Sequence, residues 1–355
     1  MTISFGSDNH AGIHPEVLAA IAEANVGRAP AYGDDPWTAR LEEVLRGHLG
    51  ERARAFPVLT GTGANVLGLS AAVPRWGGVV CARTAHVVGD EGGAPEKVAG
   101  LKLLPVDAPE GRLTPELVAP MLAGRDDVHR AEPAVVSITQ ATELGTLYAP
   151  AQVAELAEQA HAHGLLLHVD GARIANAAAA LDLPLRALTT DVGVDLLSLG
   201  GTKNGALAAE TVVVLDATSP RGAEVAEGVR RLRMSGMQLA SKSRFVAAQL
   251  LALFDGDLWL RNARAANAMA ARLRAGIDER VAAGLLPGVV PVYPSEVNGV
   301  FVELPAGVAA ELRSGFVFYD WPGEPGVVRL MCGFDAVEDD VDALLGALEA
   351  AAAAG

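Results

Sequence analysis

The chain holds only four lysines, Lys97, Lys102, Lys203 and Lys242, and its remaining positive charge is arginine. An enzyme that captures a carbonyl compound as a Schiff base must use one of these four. Lys97 and Lys102 lie in the polar stretch Pro95-Glu96-Lys97-Val98-Ala99-Gly100-Leu101-Lys102, expected to face solvent, and Lys242 stands between serines beside Arg244 at a helix start. Lys203 differs. It follows the apolar run Leu196-Leu197-Ser198-Leu199 through Gly200-Gly201-Thr202, so it is expected at the carboxyl end of a buried strand, the edge where open α/β sheets place their ligands.

Upstream, Leu165-Leu166-Leu167-His168-Val169 ends on Asp170, and Arg173 follows three residues later. A carboxylate at a strand end can keep a pyridinium nitrogen protonated, as pyridoxal phosphate requires, and an arginine fork suits a substrate carboxylate. Thr60-Gly61-Thr62-Gly63-Ala64-Asn65 precedes an apolar helical run, offering backbone N–H groups and a hydroxyl to a phosphate. It is not a dinucleotide fingerprint, since the third glycine of that pattern would fall at Val66, and Gly200-Gly201-Thr202-Lys203 is no Walker loop, since Asn204 follows the lysine. Each piece alone has a plainer reading: a solvated lysine in a glycine turn, a helix-capping aspartate with a salt-bridged arginine, an ordinary turn. As one ordered set they point to pyridoxal 5'-phosphate.

The elements that must carry these residues are short continuous apolar runs at 78–81, 134–138, 165–169, 195–199 and 211–215, the pattern of strands buried on both faces of a mainly parallel sheet. A helix is expected over 150–163, with Val153, Leu156, Ala157 and Ala160 on one stripe and Gly164 as its stop. Strand, helix, strand at this spacing is a βαβ unit, and the first two-thirds reads as an open α/β sheet. From about Ser243 the pattern changes to a helix over 245–254, an alanine-rich helix from Leu258, strand-like runs at 299–304 and 327–331, and a last helix from Val337. That suggests a small C-terminal α/β domain, with the boundary at 250/251 and the alanine tail 350–355 fraying.

Of the 355 residues 50% are apolar and 20% charged, a globular balance that excludes a disordered chain. Against 28 basic residues stand 43 acidic ones, a net charge of −15, so nucleic acid and anionic membrane are poor partners. Two cysteines, Cys81 and Cys332, cannot build a disulfide framework and suit a reducing compartment. No basic-then-apolar leader opens the chain and no apolar run reaches membrane-spanning length, so a cytoplasmic location is expected.

Beyond these readings, the sequence resembles the low-specificity L-threonine aldolases, fold-type I pyridoxal-phosphate enzymes. The matching stretches run in order along nearly the whole chain: Phe5-Gly6-Ser7-Asp8-Asn9, Ala31-Tyr32-Gly33-Asp34-Asp35-Pro36, Gly61-Thr62-Gly63-Ala64-Asn65, Thr84-Ala85-His86, Ser137-Ile138-Thr139-Gln140-Ala141-Thr142-Glu143, His168-Val169-Asp170-Gly171-Ala172-Arg173, Gly200-Gly201-Thr202-Lys203-Asn204-Gly205 and Val328-Arg329-Leu330-Met331-Cys332. The resemblance implies a large domain, residues 1–250 with an N-terminal arm, built on a mainly parallel seven-stranded sheet between helices, and a small α/β domain over 251–355.

It further implies that Lys203 forms the Schiff base, Asp170 pairs with the ring nitrogen, and Gly61, Thr62 and the Gly63 amide hold the phosphate. His86 would stack on the ring and act near the β-hydroxyl, with His129 as a second histidine positioning the hydroxyl or a water. Ser7, Arg173 and Arg329 would hold the substrate carboxylate, Arg173 lying against the cofactor as well, while Tyr32 and Lys242 would approach the site of a neighbouring subunit in a homotetramer of paired dimers. Where many members carry an aromatic residue four positions after the stacking histidine, this chain has Asp90, then Glu91, a departure that bears on pocket polarity and on the preferred aldehyde. The implied reaction is cleavage of L-threonine or L-allo-threonine to glycine and acetaldehyde, with no metal. Another fold-type I activity (phenylserine aldolase, β-eliminating lyase or aminotransferase) shares the cofactor residues, and a non-catalytic cofactor-binding module is the reading from a different class.

Overall fold

All five apolar runs form strands, Gly77–Ala82, Glu132–Thr139, Leu166–Gly171, Leu196–Gly200 and Glu210–Val214, in a computed structural model that describes residues 3–123 and 127–354. Two more strands, Arg54–Val58 and Lys102–Val106, complete a seven-stranded sheet. From edge to edge the order is Arg54–Val58, Glu210–Val214, Leu196–Gly200, Leu166–Gly171, Glu132–Thr139, Gly77–Ala82 and Lys102–Val106. The two edge strands carry Pro57 and Pro105, which break the apolar pattern and which suit a strand with one open side, since proline has no N–H to give a ladder.

Glu210–Val214 runs antiparallel to both neighbours, and the other pairings are parallel. One consequence matters for chemistry. The parallel strands finish at a common edge, and the reversed strand begins there, so Val58, Gly200 and Glu210 lie in register, as do Thr139, Asp170 and Ser198.

The helix Pro150–Ala162 starts on proline at its first position and buries Val153, Leu156, Ala157 and Ala160, as its spacing predicts. Gly164, at φ +71°, takes the left-handed conformation that ends the helix. Each of its larger buried aliphatic side chains contributes on the order of 2 kcal/mol. Cys81 and Cys332 are buried and free.

The described residues form two hydrophobic cores. The first gathers around the large sheet and ends with Trp259 and Ala263, together with Val297; the second takes Ala270, Leu273 and Ile277, the small sheet and the last helix. The division therefore falls inside the helix Leu258–Ala282, later than the expected 250/251. The small sheet orders Tyr319–Asp320, Val327–Met331, Gly299–Glu303 and Val290–Pro291, all antiparallel. The N-terminal arm belongs with it: Ile3–Ser4 pairs in parallel with Phe316–Val317, and Phe5 is buried in the second core. The alanine tail is helical through Ala354, and Gly355 lies outside the described residues. The helix Glu338–Ala354 packs Ala351 and Ala352 into that core. Among the described residues no helix is long and apolar enough to cross a membrane.

Candidate active site

Lys203 stands where its glycines require. A Cβ on Gly200 would lie 2.6 Å from the Ala172 carbonyl oxygen, and one on Gly201 would lie 2.5 Å from that of Ala209, so only glycine lets the strand end run this close to two backbones. Glu210, at the start of the reversed strand, accepts from the Gly201 N–H at 3.0 Å and the Thr202 N–H at 3.3 Å, fixing the peptide before the lysine. Burial holds the Glu210 carboxyl above its ordinary range. The Lys203 ammonium makes no hydrogen bond among the described residues; burial, then the Arg173 charge, lowers its pKa against the opposing pull of Asp8, Asp170 and Glu210.

Asp170 caps its own strand end. Oδ1 accepts from the Ala172 N–H at 3.0 Å and Oδ2 from the Asn65 amide at 2.8 Å. The same Asn65 nitrogen donates to Glu91 Oε1 at 2.9 Å, and that oxygen lies 3.1 Å from His86 Nδ1. Glu143 Oε1 accepts from the His86 backbone N–H at 2.9 Å and the Thr139 hydroxyl at 2.8 Å, and burial followed by the Asp170 charge raises the Glu143 pKa. These side chains wall a cavity of about 350 Å³.

A second cavity, of about 410 Å³, shares Asn9, His86, Glu143, Arg173 and Lys203 with the first and opens toward the small domain past Ser7, Asp90, Tyr319, Trp321 and Arg329. Here the structure departs from expectation. Arg173 does not present a free fork: Nε donates to Asp8 Oδ2 at 2.7 Å and Nη2 to Asp8 Oδ1 at 3.0 Å, leaving Nη1 without a protein partner among the described residues. Burial alone would raise the Asp8 carboxyl; the Arg173 and Lys203 charges and hydrogen bonds from Arg173 and Asn298 outweigh it and hold Asp8 at about 2. Arg329 donates from Nη2 to the Gly6 carbonyl at 3.1 Å and lies 5.8 Å over the Trp321 ring. Its Nε is buried without a partner among the described residues, and burial, then Arg173, lowers its pKa.

The loop at residue 60 caps the helix Gly61–Ala72. Thr60 Oγ1 accepts the Gly63 N–H at 3.0 Å, so that amide, expected to hold a phosphate, is already engaged. The first-turn N–H groups of Gly61 and Thr62 are left to bind an anion, favoured by the helix dipole.

His129 is not brought to either cavity within one chain. It precedes the strand Glu132–Thr139 at the end opposite Thr139, its side chain is 88% exposed, and its Nδ1 lies 2.8 Å from Asp127. Tyr32 and Lys242 line neither cavity; they are exposed and adjacent, the Tyr32 N–H donating to the Ser241 carbonyl at 3.1 Å. Asp8, Asn65, Glu143 and Glu210 were not singled out from the sequence, though the first three stood inside quoted motifs. A larger cavity of about 930 Å³ in the small domain includes Pro305, Leu312, Phe316 and Ala351 in its wall, and Glu311 is the single ionisable side chain lining it; it holds no acid–base set.

A mainly parallel seven-stranded sheet, with Lys203 and Asp170 at one edge beside the start of the helix Gly61–Ala72, is the α/β architecture of the fold-type I enzymes. Comparison with known proteins narrows this. Residues 4–303 match the beta-eliminating lyase family. The chain is 42% identical over 337 residues to the low specificity L-threonine aldolase of Pseudomonas aeruginosa, spanning 94% of this chain and 93% of that one. It is 39% identical over 336 residues to the protein of the same name from a Pseudomonas species, spanning 94% and 93%. The solved threonine aldolase of Leishmania major superposes with a TM-score of 0.89 at 26% identity, over 98% of this chain and 99% of that one. The chain belongs to the beta-eliminating lyase family, within its low-specificity threonine aldolase branch.

Proposed function

We propose that the chain is a pyridoxal-phosphate-dependent aldehyde-lyase that cleaves L-threonine and L-allo-threonine to glycine and acetaldehyde. The observation that carries this reading is the meeting of Lys203, Asp170, His86 and Arg173 on two joined cavities at one sheet edge. The donor set fits the cofactor: two unengaged amides at Gly61 and Thr62 for its phosphate, an oriented carboxylate at Asp170 for its ring nitrogen, and at Lys203 an amine without a hydrogen bond whose lowered pKa favours the nucleophilic neutral form. When bound, pyridoxal phosphate supplies the sink for the electron pair released from the Cα–Cβ bond.

The protein's residues supply the rest. Lys203 would hold the cofactor covalently, and Asp170 would keep a proton on its ring nitrogen. Arg329 and the open Nη1 of Arg173 take the substrate carboxylate, with Ser7 beside them, which fixes the orientation of the bond to be broken. His86, at the junction of the cavities, takes the β-hydroxyl proton, work for which imidazole is suited near neutral pH. Asp90 stands on the substrate side and makes that wall polar. The assembly we propose is a cytoplasmic homotetramer of paired dimers, in which the exposed pair Tyr32 and Lys242 reaches a neighbouring subunit's site.

Borohydride reduction of the loaded protein followed by peptide mass spectrometry tests the assignment. The cofactor is expected on Lys203, and Lys203→Ala is expected to abolish turnover. Label on another lysine, or activity in that variant, would overturn it.

A further inference from the structure

Asn65 has one amide nitrogen with two hydrogens, and each reaches a carboxylate: Asp170 Oδ2 at 2.8 Å and Glu91 Oε1 at 2.9 Å. Turning the amide over would face its carbonyl oxygen to two acceptors, so its orientation is fixed by its neighbours. Glu91 is wholly enclosed, its side chain 0% exposed, and its Oε1 is shared between Asn65 and His86 Nδ1 at 3.1 Å. A carboxylate can only accept, so the hydrogen between Glu91 and His86 sits on Nδ1. In the neutral ring the lone pair is then on Nε2. The His86 backbone is held separately, its N–H donating to Glu143 Oε1 at 2.9 Å, and its side chain stays 37% exposed where the two cavities join.

We propose that Glu91 is a positioning residue that fixes the tautomer of His86, so that Nε2 is the nitrogen that receives the β-hydroxyl proton, and that Asn65 ties this pair to Asp170. The proposal rests on the reading of His86 as the base. One unbroken chain of hydrogen bonds runs from the Ala172 N–H through Asp170, Asn65 and Glu91 to His86. The acid assigned to the cofactor ring and the base assigned to the hydroxyl are thereby held by a single buried amide. Asp90, the neighbour of Glu91, does separate work at the mouth of the substrate cavity. Two adjacent acids in the sequence thus have different tasks, one behind the histidine and one before the substrate.

The test is nitrogen NMR on loaded protein labelled with ¹⁵N-histidine, the His86 signals being identified by their loss in His86→Asn. Wild type is expected to show a protonated Nδ1 and an unprotonated Nε2. In Glu91→Leu nothing accepts from Nδ1, so the proton is no longer held there. That variant is expected to shift the ring signals and to lower kcat for L-threonine about tenfold or more, with KM changed less than about threefold. A merely structural role would move neither the tautomer nor the balance between kcat and KM. Wild type carrying its proton on Nε2 overturns the proposal without any variant, as does Glu91→Leu with unchanged ring signals and kcat. The two failures are separable: a wild type that releases no glycine overturns the aldolase reading, and one that releases glycine with the proton on Nε2 overturns this proposal alone.

Discussion

Arg173 donates to both oxygens of Asp8, at 2.7 and 3.0 Å, across 165 residues of sequence. The contact locks the N-terminal arm to the carboxyl edge of the large sheet. Asn298, of the loop before the strand Gly299–Glu303, adds a third donor to Asp8 at 3.2 Å. The arginine assigned to the substrate carboxylate is therefore aimed by a residue of the arm, which itself is seated in the small domain.

Asp8→Asn removes the charge that aims Arg173. KM for L-threonine is expected to rise about tenfold, the loss of one charge-assisted hydrogen bond, with kcat falling as well. Steady-state kinetics check this, and an unchanged KM would remove Asp8 from the clamp.

Arg329→Lys keeps the charge and loses the planar fork that joins the Gly6 carbonyl to the cavity. An increase in KM of about tenfold is expected, with a smaller change in kcat. Equal KM values for variant and wild type would assign the carboxylate to Arg173 alone.

Gly200→Ala forces a Cβ to within 2.6 Å of the Ala172 carbonyl oxygen. Since that neighbour is backbone, the strand end must shift, at a cost of about 1–3 kcal/mol. A lowered urea midpoint and weaker retention of pyridoxal phosphate are expected. Wild-type values of both would show that the edge yields freely.

His168 is wholly buried between the hydroxyls of Ser137 and Ser198, at 2.8 and 3.0 Å. Burial lowers its pKa from 6.5 to about 4, against the opposing effect of Asp170. The unfolded chain therefore binds the proton first. This contribution to stability is complete above about pH 6.5 and is lost as the pH falls toward 4. His168→Asn should lower stability at pH 7.5 and flatten this slope, as read from urea unfolding at several pH values. An unchanged slope would contradict the buried neutral imidazole.

The positions of Lys203, Asp170 and Gly61 were legible because strand ends and helix starts announce themselves in short apolar runs. The partners that aim them were not. Asp8, Glu91 and Glu210 look like surface acids in a chain with 43 of them, and only the fold carries Asn65 across 105 residues to Asp170. The edge strands were hidden by Pro57 and Pro105, and the reversal of Glu210–Val214 leaves no trace in an apolar run that reads alike in either direction. Alanine alone does not reveal that Ala351 and Ala352 face a core, so the helical tail reads as loose from sequence. His129 met its motif but lies at the wrong end of its strand within one chain.

The most direct measurement is identification of the products after the pyridoxal-phosphate-loaded protein is incubated with L-threonine and, separately, with L-allo-threonine. Glycine and acetaldehyde are expected in equal amounts from both. Formation of 2-oxobutyrate in their place would contradict this expectation, showing that the proton lost comes from Cα and that the site eliminates the β-hydroxyl instead of breaking the carbon–carbon bond.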